Sequence, residues 1–492
     1  MRNQQRKKRR VEGEDYISKL PNSILCKILS SLKVKETVST SVLSSKWRNV
    51  YANLTNLTLD AENMLKRGHS ASNVWFKNEE QKLEFIRKRA SAFVSSVNMY
   101  LSHLGQVQKI VKLRVCFTFG HDGYGSSDLD EWIRFAIERN VEEIDLCLLE
   151  HNSPNDGSSL HVFPCDVVAN EGALRSYLKC LRLAHCVLAP NMYHNNNGFS
   201  TLTTMELFKV DLKSEVHIQV LLSVSTNLEW LEFSECYNME KLRIEHPFCQ
   251  KLKYLNVNLC HQLKALEIQS TSLETLEYKG SKIEFAFDAP KLKTFFSPVS
   301  DSTACHKELW PVLRLPIDLP QLETLIMECG CNMGEVMAIR LPTYKFSCLR
   351  HLEVIKVATD QQDFWWVASI LESCPILGRL ELHLRTYSCI HKYLRKRGWP
   401  PTCQHNHLKE VVITGISGYS SEIKIAKYLL KNAIALEKMT IDPRPKCYLG
   451  KGKWDHSQGS HENGTHIQNL RQKVHDLLKK ELANSAVELL IK

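Results

Sequence analysis

One phrase keeps returning in this sequence: a leucine, two residues, a leucine, one residue, a leucine. It is complete in Leu178, Leu181 and Leu183, where Cys186 and Leu188 extend it. Related phrases open at Leu202, Leu228, Leu252, Leu273, Leu292, Leu322, Leu349, Leu377, Leu408 and Leu436, at steps of 19 to 31 residues, with weaker ones at Val107 and Val141. Steps of that size are the mark of a repeat architecture. Within a phrase apolar and polar residues alternate, as in Leu252-Lys253-Tyr254-Leu255-Asn256-Val257, which is the period of a short strand with one buried face. A single such strand cannot bury its own leucines. Neighbours must therefore stack, and stacked parallel strands make a solenoid.

Composition sets the outer limits. The chain has 492 residues, of which 43% are hydrophobic and 24% charged, the proportions of an ordinary folded chain rather than a disordered or collagen-like one. No run approaches the roughly 18 apolar residues of a membrane span, and the N-terminus is basic rather than apolar. Neither membrane insertion nor export is expected, which places the chain in the nucleus, the cytoplasm or both. The net charge is +10, yet six positive charges and no negative one fall in the first ten residues, leaving +4 for the rest. The body thus carries no general attraction for nucleic acid. Residues 1–14 read as a disordered basic tail, and Arg6 to Arg10 as a solvated run that could serve as a nuclear import signal.

The 17 cysteines include no C-x-x-C pair, so a disulfide framework is not expected. Cys186, Cys236 and Cys260 each stand eight residues after an opening leucine, as small buried hydrophobes would. Cys329 with Cys331, and Cys403 with His405 and His407, lack a second pair at metal-binding spacing. His461 and His466 lie five apart rather than the four that would place both on one helix face beside Glu462. No metal and no cofactor are expected.

Ahead of the repeats lies a helical passage. Pro21 suits a first turn, and Ile24, Leu25, Ile28, Leu29 and Leu32 follow at three- and four-residue steps. A second short helix runs through Val38 and Val42, and Ser44 can cap a third that carries Trp47, Val50, Tyr51 and Leu54. Three helices in so few residues bury little surface, so their apolar excess implies a partner. The order and spacing of Leu20, Pro21, Ile24, Leu25, Ile28, Leu29, Leu32, Val42, Leu43, Ser44 and Trp47 resemble the F-box, in which a leucine-proline pair opens the first helix and serine-x-x-tryptophan closes the motif. The resemblance implies docking on a Skp-type adaptor, and through it on a cullin and RING ubiquitin ligase, with Leu20, Pro21, Ile24, Leu25, Ile28, Leu29, Leu32, Val42, Leu43 and Trp47 as the adaptor-binding residues. The plainer alternative makes these residues the core of a small bundle, and the sequence does not say whether Trp47 anchors the partner or fills that core.

The repeat period resembles the irregular leucine-rich repeats of plant F-box proteins, and Lys427-Tyr428-Leu429-Leu430-Lys431-Asn432-Ala433 resembles the FBD region that follows such repeats. The expected architecture is α/β: an N-terminal three-helix F-box, then an irregular leucine-rich-repeat solenoid with a parallel sheet. Its boundaries are a tail to residue 14, the F-box at 15–59, a helical linker at 60–105, repeats at 106–407 and an FBD-like terminal repeat at 408–442. Residues 443–492 read as a polar loop and then an amphipathic helix from Ile467 to Leu490.

Between the second and third leucines of the phrases stand Arg182, Glu206, Glu232, Asn256, Glu277, Glu353 and Glu381, and Trp230 and Tyr254 precede two of them. Such a strip could receive a basic segment of a target protein, aromatics supplying area and carboxylates selecting charge. The plainer reading, which the sequence favours, is glutamate on a wet strand face. No nucleophile elbow, P-loop or dinucleotide fingerprint is present. The function expected is that of a non-catalytic substrate-recognition subunit of a Skp-cullin-F-box ubiquitin ligase, binding the adaptor, a cullin and an unknown target, with neither nucleic acid nor membrane as partner. Its rivals are a hormone receptor of the same architecture, which would want a basic rather than an acidic strip for an inositol phosphate, and a scaffold outside any ligase.

Overall fold

The leucine phrases become strands. A computed structural model describes residues 16–17, 19–30, 40, 46–47, 55–65, 78–104, 109–119, 125–148, 160–169, 177–191, 197–298, 315–329, 345–358, 365–386, 404–456, 464–482 and 486–492. The chain divides into two compact units, residues 1–202 and 203–492.

In the first unit, helix α1 (Asn22–Ser30) is followed by strand β1 (Asn56–Asp60), the short α2 (Ala61–Met64) and the long α3 (Glu79–Leu104). Then come β2 (Lys112–Phe117), α4 (Ser126–Ile137), β3 (Glu143–Leu148), α5 (Cys165–Ala169) and β4 (Cys180–Ala184). The four strands pair in parallel, β1 with β2, β2 with β3 and β3 with β4. Helix α3 buries Ile86, Ala90, Phe93, Val94, Val97, Leu101 and Leu104 at three- and four-residue steps. Phe93 stacks on Phe117 of β2 with ring centroids 3.9 Å apart and meets Trp132 of α4 edge-on. The region expected to be a linker is therefore core. The sheet likewise begins at Asn56, inside the segment assigned to the F-box, because Leu57 and Leu59 alternate like any phrase and are buried.

The second unit runs through β5 (Thr204–Phe208), α6 (Glu215–Val224), β6 (Trp230–Ser234), β7 (Lys241–Ile244), β8 (Tyr254–Asn258), β9 (Ala265–Gln269), β10 (Thr275–Lys279), β11 (Glu284–Asp288) and β12 (Thr294–Pro298). It continues with α7 (Leu315–Asp318), β13 (Thr324–Cys329), β14 (His351–Ala358), α8 (Trp365–Glu372), β15 (Arg379–Thr386), β16 (Glu410–Thr414), α9 (Ser420–Asn432) and β17 (Lys438–Asp442). Last come β18 (Cys447–Gly450), β19 (Lys453–Asp455), α10 (Gly464–Leu482) and β20 (Glu488–Ile491). Strands β5, β6, β8, β10, β12 to β17 and β20 lie side by side in that order, all parallel. A second parallel sheet, β7-β9-β11, repeats the same unit register.

Phrase leucines and their substitutes, such as Leu231, Phe233, Leu255, Val257, Leu352, Val354, Leu380 and Leu382, are buried. Burial of one such side chain contributes about 1.5–3 kcal/mol, which makes the repeat self-supporting only when stacked. The strand ends share a device. Lys209, Glu235 and Leu259, each just after a strand, adopt left-handed φ of 49°, 52° and 52°. Their amides bond the next strand along, Lys209 N–H to the Ser234 carbonyl at 2.8 Å and Glu235 N–H to that of Asn258 at 2.7 Å. The turn drives the next residue inward, and there Cys236 and Cys260 are buried; Cys186 follows left-handed His185 in the same way in the first unit.

Two expectations for the C-terminus need correction. The helix ends at Leu482, after which Glu488–Ile491 joins the sheet beside β17, with Leu489 and Ile491 half-buried on one strand face and Glu488 and Leu490 exposed on the other. Part of the expected polar loop is a β-hairpin, β18 with β19, in antiparallel register Cys447 to Asp455 and Tyr448 to Trp454.

Candidate functional site

Two surfaces hold the residues singled out from the sequence. The first is α1. The Pro21 carbonyl accepts the amides of Ile24 at 3.0 Å and Leu25 at 3.1 Å, so proline opens the helix and surrenders no donor that the helix needs. The Lys46 ammonium donates to the Leu20 carbonyl at 2.9 Å, fastening the Trp47 segment to that entry.

The single stripe read from the sequence then splits in two. Leu25 and Leu29, four apart, are buried with Trp47 in the chain's own fold. Ile24 and Ile28, also four apart, face outward at 43% and 37% exposure, beside exposed Pro21, Tyr16 and Ile17, while Leu20 is half-buried. Leu25, Leu29 and Trp47, expected on the binding edge, therefore belong to the chain's own core and not to its exposed face. Leu32, Val42 and Leu43 lie outside the described residues.

The second surface is the sheet face of the second unit turned away from the leucines. Parallel pairing in register aligns Glu206, Glu232, Asn256 and Glu277, then Phe296 and Ile326, then Glu353 and Glu381, in one row across eight strands. The sequence did not show that the row has an apolar middle. Trp230 and Tyr254, two residues before Glu232 and Asn256 on adjacent strands, stack with centroids 3.6 Å apart. Arg182 belongs to the first unit, where it pairs with Glu143, which also holds Lys112 at 2.6 Å.

The row is not a wet face. Asn256, Glu277, Glu353 and Glu381 are buried, and the β18-β19 hairpin lies over them. Its turn, Gly450-Lys451-Gly452, has φ of 84°, 59° and 66°, a left-handed run that calls for glycine on either side of the lysine. At that turn the Lys451 ammonium lies 2.8 Å from a carboxylate oxygen of both Glu206 and Glu232. Its amide donates to Glu277 at 3.2 Å, and the Tyr448 hydroxyl donates to the other oxygen of Glu277 at 2.5 Å. Tyr448 stacks on Phe296 at 4.9 Å, and Tyr448 with Trp454 packs against Phe296, Ile326 and Ile355. Trp454 also meets the His383 ring at 4.4 Å. Lys446, at the hairpin's other end, reaches Glu381 at 3.1 Å and lies 4.3 Å above the Trp454 ring.

The electrostatics follow from these contacts. Burial opposes ionisation of Glu381, but the bond to His351 and the Lys446 charge outweigh it and hold the carboxyl well below its usual range. Burial likewise disfavours the Lys451 cation, and Glu206 and Glu232 overcome it, leaving the ammonium more firmly protonated than usual. Burial pushes His383 down and so keeps it neutral. Among the described residues His351, Glu353 and Glu381 bring ligand atoms within 4.8 Å of one another. Arg379 at 2.9 Å and Lys446 already neutralise Glu381, so this donor set suits cationic side chains rather than a metal ion. The hairpin was the residue set missed in the sequence; its signal was Tyr448 and Trp454 placed symmetrically about Gly450-Lys451-Gly452, a hairpin turn between two short runs.

Residues 100–491 match the family described as "At1g61320/AtMIF1, LRR domain", and residues 17–50 match the F-box domain. The chain belongs to the F-box/leucine-rich-repeat family. The F-box match spans α1 and its exposed isoleucines, and the repeat match spans both β18-β19 and the row beneath it. Among Arabidopsis thaliana proteins this F-box/leucine-rich-repeat chain is 25% identical to F-box/FBD/LRR-repeat protein At1g51370 over 448 residues, covering 87% of this chain and 89% of that one. It is 25% identical to F-box/FBD/LRR-repeat protein At3g52680, covering 88% and 87%. With F-box/LRR-repeat protein 13 it shares 24%, covering 87% and 89%. F-box, repeat and FBD names thus recur among plant relatives matched over most of their length.

Proposed function

We propose that this protein is the substrate-recognition subunit of a Skp-cullin-F-box ubiquitin ligase, performing no bond chemistry itself. The observation that supports it is the outward face of α1: Tyr16, Ile17, Pro21, Ile24 and Ile28 form an exposed apolar edge within the F-box match. Apolar side chains left in water at the start of a folded unit favour a partner's surface. Because Ile24 and Ile28 are already more than half covered, full burial would contribute only about 1 kcal/mol each, so all five residues are needed for a stable contact. The repeats then hold a protein target, whose lysines are modified by enzymes bound elsewhere on the ligase. The basic run Arg6 to Arg10 supports a nuclear as well as cytoplasmic location.

Capture of a purified Skp-type adaptor by the full chain tests the reading. Replacing Ile24 and Ile28 together by aspartate should reduce capture at least tenfold while circular dichroism and melting stay as in the wild type. Undiminished capture by that variant would refute the assignment.

A further inference from the structure

The occupied face of the second unit has the chemistry of a binding site already holding a ligand. On one flank two carboxylates, Glu206 and Glu232, share one lysine; on the other, Glu381 holds a second. Between them two aromatic rings of the hairpin rest on Phe296, Ile326 and Ile355. The match is of charge to charge and ring to apolar floor along the whole row. It is supplied by a segment whose two strands pair only with each other among the described residues. Two-stranded ribbons are marginal in water, so the hairpin owes its shape to its seat.

Its hold is also incomplete. Leu449 is exposed, and the buried Trp230 Nε1 has no hydrogen-bond partner. Beneath Trp454, Glu353 Oε2 and His383 Nε2 approach only to 3.5 Å, without a directed hydrogen bond. A buried carboxylate oxygen lacking a donor is a standing cost that a better-fitted ligand would remove.

We infer that the row from Glu206 to Glu381 captures a target segment bearing two lysines around a pair of aromatic side chains, and that the Cys447–Asp455 hairpin is the chain's own occupant of that row, displaced when the target binds. The inference rests on the reading of the chain as a target-capturing subunit and names the chemistry of the target. The spacing to be matched is that of Lys446, Tyr448, Lys451 and Trp454 on a tight turn. Displacement makes capture a competition: a segment lacking either lysine leaves one acidic flank unpaired and fails to expel the hairpin.

The test uses the full chain and, as probe, a fluorescent cyclic peptide with the sequence Arg444 to His456. In the variant Tyr448→Ala with Lys451→Glu, the resident hairpin is loosened, and the probe should bind at least tenfold tighter than to the wild type. Adding Glu232→Lys and Glu277→Lys should abolish the gain. Equal, weak binding by the loosened and wild-type chains would overturn the inference and make the hairpin a fixed cap. Amide exchange of the wild-type chain provides a readout free of folding defects. The hairpin amides should exchange by local opening, at denaturant concentrations that leave β10 and β15 protected; exchange only through global unfolding would overturn the proposal as well. Adaptor capture separates the two readings. A wild-type chain that captures the adaptor but fails both tests sinks only the displaced-hairpin inference, whereas one that passes both without capturing the adaptor sinks only the ligase reading.

Discussion

At Leu259 a branched hydrophobe sits in left-handed backbone, φ 52°, where a side chain collides with its own carbonyl and glycine does not. The position tolerates this because the amide must turn to reach the Lys279 carbonyl and bring Cys260 inward. Leu259→Val should lower stability by about 1–2 kcal/mol through added β-branching at positive φ, while Leu259→Gly should be nearly neutral, strain relief offsetting the freedom that glycine gains in the unfolded chain. Urea midpoints of the two variants check it; equal losses would mean that side-chain packing, not backbone strain, governs the site. The same scale explains how Lys451 rests half-buried between repeats: two carboxylates offset the desolvation of one ammonium.

For α1 the decisive property is which face a residue occupies, and neighbours in sequence have opposite fates. Leu25→Ala empties a fully buried site and should cost about 2–5 kcal/mol, lowering the melting temperature without being specific to the adaptor. Ile24→Ala, one residue earlier, should cost under about 1 kcal/mol of stability yet weaken adaptor capture. If Ile24→Ala proved the more destabilising of the pair, the assignment of inner and outer faces would be wrong. Helix α3 shows the same logic with a different outcome: its apolar steps bury Phe93 against Phe117 and Trp132, so a segment that reads as connection is the core of the first unit.

Across the whole molecule, titration reports on burial. His383 and His405 are both held below the usual histidine range, burial being the largest cause for each. The folded protein keeps them neutral while the unfolded chain binds protons, so stability is full above about pH 6.5 and falls as pH drops toward the depressed folded values, by up to about 1.4 kcal/mol per pH unit for each histidine. Glu381 acts at another pH. Its carboxyl stays ionised well below the ordinary range, so its contribution persists through this window and is lost only in stronger acid. Urea midpoints between pH 7.5 and 5.5 should therefore decline, and the double variant His383→Gln with His405→Gln should reduce the slope, the remainder coming from His161, which burial holds down to about 4; an unchanged slope would assign it elsewhere.

Much of this architecture was written locally. The alternation in Leu252 to Val257 makes a strand wherever it falls, the leucine step makes strands stack, and the spacing from Leu20 to Trp47 matches the F-box, because each signal depends only on residues a few positions apart. What the sequence could not express is the meeting of Lys451 with Glu206, 245 residues away, or the descent of Tyr448 onto Glu277 and Phe296. Those contacts exist only once every intervening repeat has added its strand in register, so that side chains remote along the chain become neighbours across a sheet. The division of Ile24 from Leu25 is likewise tertiary, since both are equally apolar and only packing in the folded chain decides which one water still touches.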